Sequence, residues 1–146
     1  MENICGPVIS AVISAIISAI VSFIMMNLNT KNAQRRQLDE QLDSIIKISI
    51  QYPYFELRSF TDSWKQDSAA DDEKYAGYEQ YATLVFNYLE RFCKFYKYDV
   101  DKISEELGMK SWVRIHKEYW KNPTVPHENI DLYEKEFVEI VENMVR

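Results

Sequence analysis

An uncharged apolar segment near the N-terminus constrains the fold of this chain more than any other feature. No charged side chain occurs within residues 3–30. An apolar run of about 22 residues spans roughly 33 Å as an α-helix, which matches the hydrocarbon core of a bilayer. A helix that is apolar on all sides over this length is rare in the core of a soluble protein. The segment therefore predicts one N-terminal transmembrane helix, and we assign it to residues 1–30.

A cleaved signal peptide is the competing interpretation of this segment. Such a peptide has Lys or Arg before a shorter apolar run and a small-x-small cleavage site after it. Glu2 is the only charged side chain before the run, and residues 23–27 contain no such site. The sequence therefore favours a retained anchor.

The apolar segment repeats a four-residue motif in which two Val or Ile residues precede Ser and, in the first three copies, Ala. Residues four apart share a helix face, and small residues at this spacing allow two helix backbones to approach closely in lipid. The resulting stripe contains Ser10, Ala11, Ser14, Ala15, Ser18, Ala19 and Ser22. We expect this stripe to pack against another helix. The alternative is that these residues only moderate the hydrophobicity of the segment, with each hydroxyl bonded to its own helix.

The pitch of the helix narrows the predicted contact. A strict four-residue repeat drifts by about 40° per copy, because four residues advance about 400° around the axis. Two helices that meet along the stripe should therefore cross, with their closest approach near Ser14, Ala15 and Ser18.

The distribution of charge predicts the topology. All 17 Lys and Arg residues follow the apolar segment, as do all but one of the 23 acidic residues. Lys31, Arg35 and Arg36 come directly after it, and positive residues next to a span stay on the cytoplasmic side. We expect the N-terminus outside the inner (plasma) membrane and the remaining domain in the cytoplasm, with these three residues near lipid headgroups. The acidic balance of the domain disfavours binding to nucleic acid.

We predict that residues 31–146 form an all-α fold, a small antiparallel helical bundle. Apolar residues recur at three- and four-residue spacing, and there are only three glycines and four prolines. The predicted helices cover residues 31–51, 53–66, 72–98, 100–107, 111–121 and 129–146. Asp99 is the expected N-cap of the fourth of these, and Gly108 is expected to follow it in the left-handed conformation. Residues 67–72 are the clearest predicted loop.

Aromatic residues distinguish the predicted bundle from an average domain. The chain has seven Phe, ten Tyr and three Trp, and all but Phe23 follow the anchor. Tyr and Trp offer a large contact area with a polar tip, which suits a surface for a partner protein. The candidates for such a surface are Tyr75, Tyr78, Tyr81, Trp112, Tyr119 and Trp120. The alternative is that aromatic side chains fill the core.

The sequence offers little for catalysis. His116 and His127 are the only histidines, and no pair of His or Cys residues has metal-ligand spacing. The chain also lacks a glycine-rich phosphate loop and a nucleophile elbow. We therefore predict no catalytic, cofactor-binding or metal-binding residues, and no enzyme activity. If Glu90 is buried, we expect it to pair with Arg91, Arg114 or His116.

The order of these features resembles that of small bacterial single-span membrane proteins of unknown function with an aromatic-rich helical cytoplasmic domain. The likeness consists of the N-terminal span, the aromatic residues between Tyr75 and Tyr98, the Trp-containing segment 111–120 and a closing helix with Tyr133 and Phe137. Proteins of this kind often occur in prophage or defence neighbourhoods. The resemblance implies a role in phage defence and supplies no catalytic residues.

Together these observations predict a membrane-anchored, non-enzymatic interaction module that forms homo-oligomers or pairs with a partner membrane protein through its Ser and Ala stripe. Two alternatives remain. One is a pore-forming or membrane-perturbing effector whose serines line a narrow channel. The other is a membrane-tethered enzyme, which would need a pocket with converging titratable groups around Glu90, Arg114 and His116.

Overall fold

The computed structural model describes residues 5–64, 73–124 and 128–146. Within these ranges all regular secondary structure is helical. A long N-terminal helix precedes several short helices that pack together around an aromatic core. The predicted all-α fold is therefore confirmed. The predicted loop at residues 67–72 and His127 lie outside the described residues.

The first helix, α1, is a single element of 47 residues, Cys5–Gln51. The predicted membrane segment and the predicted helix over residues 31–51 are thus continuous. Over Ser10–Gln51 this helix is long and apolar enough to cross a membrane, a property that a signal sequence near the N-terminus would share.

The chain forms two compact units, residues 1–37 and residues 38–146. The predicted boundary after residue 30 refers to the end of the membrane segment and stays a prediction. In the second unit, Leu38 and Ile45 of α1 are buried and Leu42 packs against the core. Ile46 and Ile50, two further apolar residues at the end of this helix, are exposed. Ile46 lies about 100° around the helix axis from Ile45, and Ile50 lies the same angle from Ser49. Both side chains therefore point away from the buried face.

Over the described part of the predicted helix 53–66, the chain is not one continuous helix, and two short helical turns occupy residues 53–61; residues 65 and 66 lie outside the described residues. A 3₁₀ turn covers Pro53–Glu56, and helix α2 covers Arg58–Thr61. Pro53 begins the new element, as expected from its fixed φ. The helix cannot continue beyond Glu56 because Leu57 has an extended backbone, with φ −91° and ψ 123°.

Helix α3, Glu73–Phe95, is the central element of the second unit. Its buried residues are Tyr78, Tyr81, Ala82, Val85, Phe86, Tyr88, Leu89, Phe92 and Cys93. The helix ends before the predicted Tyr98, because Lys97 and Tyr98 both adopt the left-handed conformation, with φ of 52° and 59°. The Tyr98 amide donates a hydrogen bond back to the Cys93 carbonyl at 2.8 Å, which closes the helix.

Among the residues described after α3, five short helices follow. They are α4 (Val100–Glu106), α5 (Met109–Ile115), α6 (Lys117–Lys121), α7 (Glu128–Asp131) and α8 (Lys135–Val145). Asp99 caps α4 as predicted, since its side chain accepts a hydrogen bond from the Lys102 amide at 3.3 Å. Gly108 is not left-handed as expected: its φ is −69°, and it is the N-cap of α5.

The predicted helices over residues 111–121 and 129–146 are each split in two. His116 interrupts the first with φ −99° and ψ 18°, between α5 and α6. Glu134 interrupts the second with an extended backbone before α8. Each residue at a break makes side-chain contacts with a distant part of the chain. His116 contacts Tyr78, and Glu134 contacts Lys94 and Tyr98.

Candidate functional sites

The apolar part of α1 presents its side chains outward. Every side chain over residues 10–37 is exposed, including all seven stripe residues. The large apolar residues of this stretch, such as Ile16 and Ile20, are each about half exposed in the isolated chain. Exposure of such a long apolar surface to water is unfavourable. Water is therefore an unfavourable environment for this part of α1.

The basic residues after the apolar segment are also exposed. Lys31, Arg35 and Arg36 lie on α1 within one and a half turns of each other, so they form one positive collar around the helix. Such a collar can meet the phosphate groups of a membrane surface.

The structure corrects the predicted aromatic surface. Tyr78, Tyr81, Tyr119 and Trp120 are at most 3% exposed, so they belong to the core and do not form an exposed surface in this fold. Their polar tips bond inside the protein. For example, the Tyr119 hydroxyl lies 2.6 Å from Thr83 Oγ1, and Trp120 Nε1 donates to Glu142 at 2.8 Å.

The two remaining candidates, Tyr75 and Trp112, are half-buried. Tyr75 stacks on Phe60 with a centroid distance of 4.8 Å, and Trp112 meets Tyr88 edge to face at 6.1 Å. The second possibility that the sequence left open, core filling, thus accounts for most of the six residues.

A polar cluster lies inside this aromatic core. His116 is fully buried, and its Nδ1 lies 3.0 Å from the Tyr78 hydroxyl. Its Nε2 lies 3.5 Å from Glu56 Oε1, which is close enough for electrostatic attraction but too long for a well-formed hydrogen bond. The Tyr81 hydroxyl donates to the same carboxylate oxygen. Glu56 therefore links the 3₁₀ turn to α3 and to the junction between α5 and α6.

The environment of this cluster sets its protonation. Burial raises the pKa of Glu56, but the interactions with His116 and the Tyr81 hydroxyl outweigh it and hold the pKa below its usual value. Burial, reinforced by the negative charge of Glu56, raises the pKa of Tyr78 and Tyr81. The cluster therefore contains an ionised carboxylate and two neutral phenols at neutral pH. The cluster thus connects the 3₁₀ turn, α3 and the junction between α5 and α6.

Sequence reasoning did not find Glu56. Its partners follow it by 25 and 60 residues, so no local spacing brings them together. The only local indication is that Glu56 follows Tyr54 and Phe55 in an aromatic stretch that is expected to be buried.

Glu90 has partners other than those we predicted. Its carboxylate pairs with Lys94 at 3.2 Å and accepts a hydrogen bond from the Glu134 amide at 3.0 Å. Arg114 instead donates to the Met144 carbonyl at 3.4 Å, and His116 faces Tyr78 and Glu56. Glu90, Arg114 and His116 thus have separate sets of partners. These three side chains do not converge on one another in the structure.

The thiol of Cys93 lies in the core of the second unit. It is fully buried, 3.8 Å from the Met109 sulfur, and burial raises its pKa to about 12. Among the described residues, no group of three or more His, Cys, Asp or Glu side chains could hold a metal ion.

Comparison with other proteins adds no further constraint. No known protein family, curated protein or solved structure matches this chain.

Proposed function

We propose that this protein is a membrane-anchored, non-enzymatic interaction module that spans the plasma membrane once. The observation that carries the proposal is the outward exposure of every α1 side chain over residues 10–37, most of them apolar. Because none of the residues that the structure describes covers this surface, a bilayer is the environment that best accounts for it.

The continuity of α1 supports an anchor over a cleaved signal sequence. The same helix that carries the apolar segment continues to Gln51, and its last turns supply Leu38 and Ile45 to the core of the second unit. A signal peptide normally precedes the folded protein, whereas this segment ends in an element that the fold uses.

The proposed topology follows from the basic collar. With Lys31, Arg35 and Arg36 held at the cytoplasmic surface, the N-terminus is outside and residues 38–146 are inside. A cysteine introduced at Asn3 in a Cys5→Ser background should react with a membrane-impermeant maleimide on intact cells, and one introduced at Lys110 should react only after lysis. The reverse pattern would contradict this topology.

The proposed interaction uses the Ser and Ala stripe. Its seven residues are exposed and small, so a second helix can approach closely at the predicted crossing near Ser14, Ala15 and Ser18. The second helix belongs either to another copy of this chain or to a partner membrane protein. The setting implied by the resemblance to small bacterial membrane proteins is defence against phage.

Crosslinking in native membranes tests the stripe. Ser14→Leu and Ser18→Leu place a large side chain at the crossing, and each should reduce the crosslinked species several-fold. Ile17→Leu is the matched control, because it changes a large apolar residue of the same segment and should leave crosslinking unchanged. Equal crosslinking in all four proteins would remove the stripe from the proposal.

A further inference from the structure

Residues 52–64, which we call the strap, cover the tyrosines at the start of α3. The strap contains the 3₁₀ turn and α2, and its Phe55 and Trp64 side chains are 3% and 2% exposed. Its rings cover three tyrosines of α3. The pairs are Phe55 on Tyr81, Phe60 on Tyr75 and Trp64 on Tyr78, with centroid distances of 5.2, 4.8 and 5.4 Å.

The strap has little local structure of its own. The 3₁₀ turn and α2 contain four residues each, and neither Tyr52 nor Leu57, their N-caps, makes a side-chain capping bond. Helices this short do not persist without tertiary contacts, because nucleation costs more than a single turn returns. The strap therefore stays in place through tertiary contacts, which are its ring contacts, Glu56, and two further polar contacts. Trp64 Nε1 donates to the Asn122 carbonyl at 3.0 Å, and Ser63 Oγ lies 3.4 Å from the Tyr75 hydroxyl.

Glu56 is the polar fastening of the strap. Its carboxylate accepts the Tyr81 hydroxyl bond and lies 3.5 Å from His116 Nε2. The Glu56 side chain is 25% exposed, whereas His116 is fully buried. Solvent therefore reaches the carboxylate side of this pair first.

The closed position of the strap has two polar atoms with poor partners. Thr61 Oγ1 is buried and has no hydrogen-bond partner among the described residues, and His116 Nε2 has only the long approach to Glu56. Burying a polar atom without a good partner is unfavourable. Both atoms therefore lower the free energy needed to open the strap.

We propose that the strap is a releasable cover, fastened by Glu56, that opens as one unit and exposes Tyr75, Tyr78 and Tyr81 to solvent while α3 stays folded. Proteins commonly open in such cooperative segments below the free energy of global unfolding. This inference concerns residues 38–146 alone and stands independently of the membrane proposal.

Amide hydrogen exchange of the full chain in detergent micelles tests the strap. The wild-type protein should exchange the amides of Leu57, Thr61 and Asp62 faster than those of the centre of α3. Glu56→Gln should raise strap exchange by about tenfold, and Thr61→Val should lower it several-fold by removing the unpaired hydroxyl. Neither variant should change the exchange of α8.

Glu134→Gln is the matched control. Glu134 also accepts a tyrosine hydroxyl bond, from Tyr98 at 2.5 Å, but it lies at the start of α8. The Glu134→Gln substitution should leave the exchange rate of the strap amides at the wild-type value. The proposal is overturned if strap amides exchange only as fast as those of central α3 in the wild type. It is also overturned if Glu56→Gln fails to accelerate the strap selectively, or if Thr61→Val fails to slow it.

Discussion

Gly77 lies inside helix α3 at a position that does not require glycine. Its φ is not positive, and a Cβ placed there meets only the Phe55 ring, at an ordinary contact distance of 3.5 Å. Alanine is more favourable than glycine in a helix by about 0.5–1 kcal/mol. Gly77→Ala should therefore raise the free energy of unfolding by about that amount, measured by urea denaturation in detergent.

Gly108→Ala is the contrasting substitution. Gly108 is an N-cap with open space around it, and glycine is preferred over alanine at N-caps. This variant should be neutral or slightly less stable. If it gained as much stability as Gly77→Ala, the gain would not depend on helix position and the argument for Gly77 would fail.

Lys97 is the second residue at which backbone conformation predicts a gain in stability. It adopts the left-handed conformation at the end of α3, which is unfavourable for residues with a Cβ. Lys97→Gly should raise the free energy of unfolding by about 1 kcal/mol. Tyr98→Gly relieves the same strain but also loses the hydroxyl bond to Glu134, so it should gain less. Urea denaturation of both variants and the wild type measures whether Lys97→Gly gains more stability than Tyr98→Gly. A loss of stability in Lys97→Gly would contradict this prediction.

At the scale of elements, the strap predicts how stability depends on pH. The pKa of Glu56 is lower in the folded protein than its usual value, so its contribution to stability is complete above the usual value and is lost as the pH falls through the folded value. The wild type should therefore lose more stability between about pH 5 and pH 3 than Glu56→Gln, which has no carboxylate to protonate. Equal acid dependence of the two proteins, measured by denaturation at several pH values, would show that Glu56 does not contribute.

The elements also show what the sequence can predict. The long apolar helix, the start at Pro53 and the Asp99 cap depend on local patterns, and all three were predicted. The breaks at His116 and Glu134 depend on contacts with residues 36 to 44 positions away, which local periodicity does not encode. The same reason explains why Glu56 was missed.

The burial of the tyrosines could be predicted only in part. Helical spacing spreads Tyr75, Tyr78 and Tyr81 over more than one face of α3, and it could not show that the strap covers Tyr78 and Tyr81. The stripe and the basic collar are different, because both lie on one uninterrupted helix that no described residue covers over residues 10–37.

At the scale of the whole molecule, the chain combines an uncovered apolar helix with an aromatic helical unit. Its first unit has an exposed apolar surface on a helix long enough to cross a membrane, and its second unit buries most of its aromatic side chains in its own core. The central proposal is therefore that the apolar part of α1 is retained in the protein and spans the bilayer.

The most direct test of this claim is the intact mass of the protein in membranes washed with alkaline carbonate. We expect to recover the protein in the membrane pellet, with a mass that includes all of residues 10–146. Recovery in the supernatant would contradict insertion into the bilayer. Recovery of a shorter chain that begins after the apolar segment would show that the segment is a cleaved signal sequence.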